Sequence, residues 1–114
     1  MRLSTLEKQV LSGIADAHAQ GGIVLAQMAR AEVDQREYST HGFRTFFRID
    51  AVGRHLDRAL WKTEHMPTAH ARHPALRGRA SFTLVIADGF ICCLEASSHR
   101  ERWPTDEARF VIEK

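Results

Sequence analysis

The hydrophobic pattern is densest in residues 81–97, SFTLVIADGFICCLEAS, where two apolar runs flank Asp88-Gly89. An Asp-Gly pair between such runs signals a two-residue hairpin, because both central residues of a type I′ turn need positive φ. A regular ladder from that turn places Ala87 opposite Phe90, Val85 opposite Cys92, Thr83 opposite Leu94 and Ser81 opposite Ala96 on one face. The other face then carries Ile86 with Ile91, Leu84 with Cys93 and Phe82 with Glu95. Both faces read as apolar, the pattern of central strands covered on two sides. Glu95 is the exception. A carboxylate in an apolar layer needs a cation or a proton, unless the strand surfaces there and leaves it solvated.

The rest of the chain is arranged around this hairpin. Ser4-Thr5-Leu6-Glu7 has the form of a capping box, with Ser4 as N-cap and Glu7 at the third helical position. Leu6, Val10, Leu11, Ile14 and Ala17 keep helical spacing, and Gly21-Gly22 is expected to end that helix. A shorter helix is predicted over 23–31, with Leu25, Met28 and Val24 inward. Then the period changes. Loose alternation over 33–38, turn residues over 39–42 and an aromatic, β-branched run over 43–49 predict a second hairpin from Val33 to Ile49. On its second strand Phe43, Thr45, Phe47 and Ile49 share one face, and Arg44, Phe46 and Arg48 the other. Val52, Leu56, Leu60 and Trp61 fit either a brief helical turn or an irregular loop. Pro67 and Pro74 bracket a short strand over 68–73, whose prolines suit an edge position. Trp103-Pro104 marks a turn, and 109–113 reads as a closing strand. The fold expected is α+β, a single domain over 1–114 with two N-terminal helices packed on a mostly antiparallel sheet of about five or six strands.

Composition changes this picture little. A chain of 114 residues, 44% hydrophobic and 26% charged, suits one globular domain. No apolar run reaches the roughly 20 residues that span a bilayer. The first ten residues are too polar for a signal peptide, so a cytoplasmic protein with no membrane partner is expected. Cys92 and Cys93 point to opposite faces of a strand, a poor geometry for a mutual disulfide, and read as inert core thiols. The net charge of +2 is too small to imply nucleic acid, yet it is unevenly spread. Residues 51–80 hold Arg54, Arg58, Lys62, Arg72, Arg77 and Arg79 against Asp57 and Glu64, with His55, His65, His70 and His73 among them. Such a segment can be an anion-binding edge, although charge there more often keeps an edge strand or loop from sticking.

Candidate chemistry is sparse. The histidines lack metal-ligand spacing, and there is no glycine-rich phosphate loop, dinucleotide fingerprint or nucleophile elbow, so neither a metal nor a cofactor is expected. The nearest thing to a constellation is Arg36-Glu37-Tyr38 and His41-Gly42-Phe43 set against Glu95. If the two hairpins share a sheet, Arg36 or Arg44 meets Glu95 in a structural ion pair. At these residues the chain resembles a family of small uncharacterised bacterial proteins. The resemblance rests on a leading amphipathic helix, Arg36-Glu37-Tyr38, Gly42-Phe43 and the phenylalanine-rich strand after it. It continues through the strand over 82–86, Asp88-Gly89, Leu94-Glu95 and Trp103-Pro104, and departs from the pattern at Thr40 and Ala96, where glycine is usual. It implies an α+β fold and carries no activity with it. The function expected is a non-catalytic binding or protein-interaction domain, acting on a protein partner or by self-association as a homodimer. One alternative is a small enzyme with Glu95 as general acid or base, assisted by Arg36, Tyr38 and His41. A weaker one is anion or nucleic-acid binding through residues 54–79.

Overall fold

The computed structural model describes residues 2–17, 20–49 and 67–113. Helices α1 (Thr5–Ala17) and α2 (Gly21–Arg30) are followed by β1 (Ala31–Ser39), β2 (Gly42–Ile49), β3 (Thr68–Arg72), β4 (Ala80–Ala87) and β5 (Phe90–Ser97). A 3-10 turn at Glu107–Arg109 then leads into β6 (Val111–Ile112). The strands form one antiparallel sheet in the order β1-β2-β5-β4-β3-β6, with the helices on one face. This is the α+β architecture expected. The segment with Val52, Leu56, Leu60 and Trp61, and with Arg54, His55, Arg58, Lys62 and His65, lies outside the described residues.

α1 starts as the capping box requires. Ser4 N donates to Glu7 Oε1 at 2.7 Å, and Glu7 N donates to Ser4 Oγ at 3.1 Å, so two orphan donors are satisfied reciprocally. Leu6, Val10, Leu11 and Ile14 are buried against the sheet, with Ala15 completing the stripe and Ala17 exposed. The glycine pair does not end α1; it opens α2. A Cβ on Gly21 would lie 1.9 Å from the Ala15 carbonyl oxygen, so this close passage of the chain requires glycine. In α2 the inward stripe is Ile23, Val24, Gln27 and the half-buried Met28, while Leu25 is exposed. A polar Gln within the stripe disguised its true phase.

Two single-residue β-bulges set the faces of the sheet. In β5, Cys92 is extra: Ile86 pairs with Ile91, but Val85 pairs with Cys93 and Thr83 with Glu95. Past the bulge every side chain of β5 changes face. The helix side therefore collects Phe82, Leu84, Ile86, Ile91, Leu94 and Ala96, all buried, and Glu95 turns to the other side. The regular ladder that set Glu95 opposite Phe82 is thus off by one. In β1, Asp34 is extra between Val33, opposite Phe47, and Gln35, opposite Phe46. That bulge puts Arg36 and Tyr38 on the helix side, opposite Thr45 and Phe43.

At the far edge, β6 pairs with β3 through Ala71–Ile112 and Arg72–Val111. The strand with flanking prolines is therefore one in from the edge. The edge itself is two residues long, and the opposite edge, β1, carries Glu32, Asp34, Arg36 and Glu37, both recognised ways of blunting an open strand.

Candidate functional site

The buried carboxylate of this protein is Glu7, not Glu95. Glu7 has no solvent exposure and accepts from four donors. Ser4 N is the first; Arg36 follows, Nε to Oε2 at 3.0 Å and Nη2 to Oε1 at 2.6 Å, a bidentate fork; Thr45 Oγ1 closes the set on Oε2. Burial alone would raise the Glu7 pKa. The hydrogen bonds from Arg36, Thr45 and Ser4, with the Arg36 charge, outweigh it and hold the carboxyl below its ordinary value. The capping box pointed to Glu7 in the sequence; its second partnership depends on the Asp34 bulge, which no local pattern announces.

Arg36 is therefore committed to α1 and does not approach Glu95. Arg44 is the residue opposite Glu95, with Nε 3.7 Å from Oε1 and side chains 64% and 46% exposed. An arginine of the first hairpin does meet Glu95, but as a loose surface pair of little energetic weight. Tyr38 and His41 border one open depression of about 400 Å³ with Glu95, yet their polar atoms are engaged elsewhere. The Tyr38 hydroxyl is 3.3 Å from both Glu107 carboxylate oxygens, and His41 Nδ1 donates to the Glu101 carbonyl at 2.8 Å. Partial burial, then the Glu107 charge and hydrogen bond, push the Tyr38 pKa up, which keeps the phenol protonated. The four candidates thus do not converge on a reacting position. Among the described residues no buried side-chain nitrogen or oxygen lacks a partner, and no group of three potential ligands could hold a metal.

What the fold does gather is the loop end of the sheet. The β1–β2 turn, the loop before β4 and the loop after β5 meet there around Glu101 and Ser98. The Glu101 carboxylate accepts from Arg77 N at 2.8 Å and Gly78 N at 2.9 Å. These two backbone bonds, with the Arg77 charge, hold its pKa below the ordinary value. Ser98 N donates to the His41 carbonyl at 2.7 Å, and Trp103 N to the Thr40 carbonyl at 2.8 Å. The Ser98 hydroxyl sits between the carbonyls of His41 and Glu101 and donates to either. His99 takes a positive φ of 63° to turn the loop, with its N–H on Ser97 Oγ.

Beneath the loops lies an aromatic cluster. Trp103 packs edge-on to Phe43, with ring centroids 5.4 Å apart, and stacks on Phe110 at 5.0 Å. Its Nε1 donates to Glu107 Oε2 at 2.8 Å. Above it opens a cleft of about 500 Å³ bordered by Tyr38, Thr40, Arg102, Pro104, Thr105 and Glu107. Trp103-Pro104, expected as a turn, is instead a buried irregular stretch; the role of Glu101 in joining loops 23 residues apart had no sequence signal, since it is a lone glutamate among charged neighbours.

A wider groove of about 900 Å³ runs between α1 and β6, past Ser12, Gly13, Asp16 and Val111. Lys8 and Arg79 both line it, and Arg79 is already held by Glu113, which also takes Arg72, with contacts of 3.1 and 3.0 Å. No helix among the described residues is long and apolar enough to cross a membrane. Comparison with protein-family models, curated protein sequences and solved structures returned no significant match to this chain.

Proposed function

We propose that the chain is a non-catalytic binding domain whose partner-facing surface is the loop end of the sheet. One observation carries this reading: three loops far apart in sequence are locked together by Glu101 and Ser98 around an open, part-aromatic cleft. Such pre-ordering lowers the entropic cost of binding. The enzyme alternative would have Glu95, Arg36, Tyr38 and His41 act together, and each of them is bonded to a different group. Self-association is another form the binding role could take, but its main motive, a hairpin apolar on both faces, weakens once Glu95, Thr83 and Ser97 share the outer face. The free thiols Cys92 and Cys93 fit a reducing, cytoplasmic setting.

The reading is tested by comparing surface variants in affinity capture of partners. Arg102→Glu should abolish capture, and Val111→Asp in the α1–β6 groove should leave it intact. The opposite result would move the binding surface to the groove.

A further inference from the structure

Of the described arginines, Arg36, Arg44, Arg48, Arg72 and Arg79 each pair with a carboxylate. Arg2, Arg77, Arg100, Arg102 and Arg109 are exposed, and among the described residues no carboxylate lies within ion-pair distance of their guanidinium groups. Three of these, Arg77, Arg100 and Arg102, belong to the loop end. Arg77 is tied to Glu101 through its backbone N–H, and Arg100 and Arg102 flank Glu101 in the chain. The acids nearby are engaged: both Glu101 oxygens accept from backbone N–H groups at the surface, where the Arg77 charge also acts on them, and Glu107 takes Trp103 Nε1 and the Tyr38 hydroxyl. Arg102 borders the same cleft as the Tyr38 side chain, which is 59% exposed.

Unpaired guanidinium groups match phosphate oxygens, and an exposed aromatic ring beside them can stack with an unpaired base. We infer that the loop end docks a single-stranded nucleic acid, with Arg77, Arg100 and Arg102 on the phosphate backbone and Tyr38 as a stacking platform. The inference rests on the loop end being the binding surface and adds the class of partner. A duplex is a poorer fit, because its bases are already stacked and the cleft offers one ring, not an element shaped for a groove.

The experiment is fluorescence anisotropy of a labelled oligodeoxythymidine of about 12 nucleotides, within the usual span of single-strand sites. Binding should weaken with salt, with a log–log slope of about −2 for three phosphate contacts. The triple variant R77A/R100A/R102A should lose binding while keeping its melting temperature, since all three side chains are exposed. Tyr38→Ala should bind about tenfold more weakly, and Tyr38→Phe, which keeps the ring, should match the parent. No binding of the oligonucleotide at low salt, or binding that ignores the triple variant, overturns the inference. If a polyglutamate peptide binds instead with the same arginine dependence and Tyr38→Ala has no effect, the nucleic-acid assignment fails while the loop-end surface stands. If neither probe binds and Arg102→Glu also leaves partner capture unchanged, both readings fail.

Discussion

Glu7 does two things with one carboxylate. It closes the N-terminal cap of α1 on Ser4, and from a fully buried position it holds Arg36 on β1 in a bidentate fork. Gln at this position keeps the shape and part of the cap but removes the charge that Arg36 faces. Breaking a buried pair from one side is far costlier than losing a surface pair. Since Arg36 is 18% exposed and can recruit some water, Glu7→Gln should cost about 3 kcal/mol, the low end for such pairs, as read from urea unfolding. The double variant Glu7→Leu with Arg36→Met should recover a good part of that loss, because it leaves no charge stranded. A double variant no better than the single one would show that the fork contributes more than its charges. The two adjacent cysteines divide in the same residue-by-residue way. Burial, then the Glu95 charge, pushes the Cys93 thiol up to about 11, whereas Cys92, on the bulge, is half-buried. Iodoacetamide at neutral pH should therefore modify Cys92 first and reach Cys93 only in denaturant, which peptide mass mapping resolves.

Elements here are placed by devices of one residue. The Asp88-Gly89 turn was legible because both φ values, 52° and 83°, are ones that Asp and Gly adopt readily. What anchors that turn was not legible. Gln27, buried in the apolar stripe of α2, donates from Nε2 to the Gly89 carbonyl at 2.9 Å and accepts from Ile91 N at 2.8 Å. Its side chain thus serves two hairpin backbone groups that would otherwise be stranded against the helix. Gln27→Ala should cost about 2 kcal/mol and speed amide exchange at Ile91, with exchange at Leu94 in mid-strand moving less. Uniform acceleration along β5 would instead mean that the substitution loosens the whole sheet. Helix and strand identities followed from periodicity and capping, which are local, and these were recovered along most of the chain. The site was not recovered, because the bulges at Asp34 and Cys92 decide which side chains turn inward. A regular alternation through Val33–Tyr38 sends Arg36 outward, and one through Phe90–Glu95 sends Glu95 inward; the real sheet does the reverse. Gly42 is a smaller case of the same kind. A Cβ there would sit 1.8 Å from the Ala96 carbonyl oxygen, so the glycine in the turn region reflects contact with a strand 54 residues later.

Over the whole molecule the balance of charge is as informative as any one site. The loop end ties the Arg77 backbone to Glu101, which lies between Arg100 and Arg102 in the chain, a link that residues 51–80 read alone did not reveal. Most of the described carboxylates are spent on structure, and this sets the response to acid. Glu7, Glu32, Glu101 and Glu113 are all held below the ordinary carboxyl value of 4.5. At Glu7, burial acts in the opposite sense but is outweighed by the bonds from Arg36, Thr45 and Ser4. Glu32 is lowered first by its hydrogen bond to Arg48, Glu101 by the N–H of Arg77, and Glu113 by Arg79. A group whose folded pKa is depressed binds fewer protons folded than unfolded while the pH lies between the two values, so stability rises with pH there. Its contribution is complete above the unfolded value and disappears as pH falls through the folded one. The exposed members contribute little because solvent screens them, which leaves Glu7 as the main source. The urea midpoint should accordingly stay nearly flat from neutral pH down to about pH 5 and then decline with further acid. In Glu7→Gln the midpoint starts lower and declines less steeply over that acid range, so the two curves draw together as Glu7 of the parent becomes protonated. Parallel curves would assign the acid sensitivity to other carboxylates and leave Glu7 important for its hydrogen bonds alone.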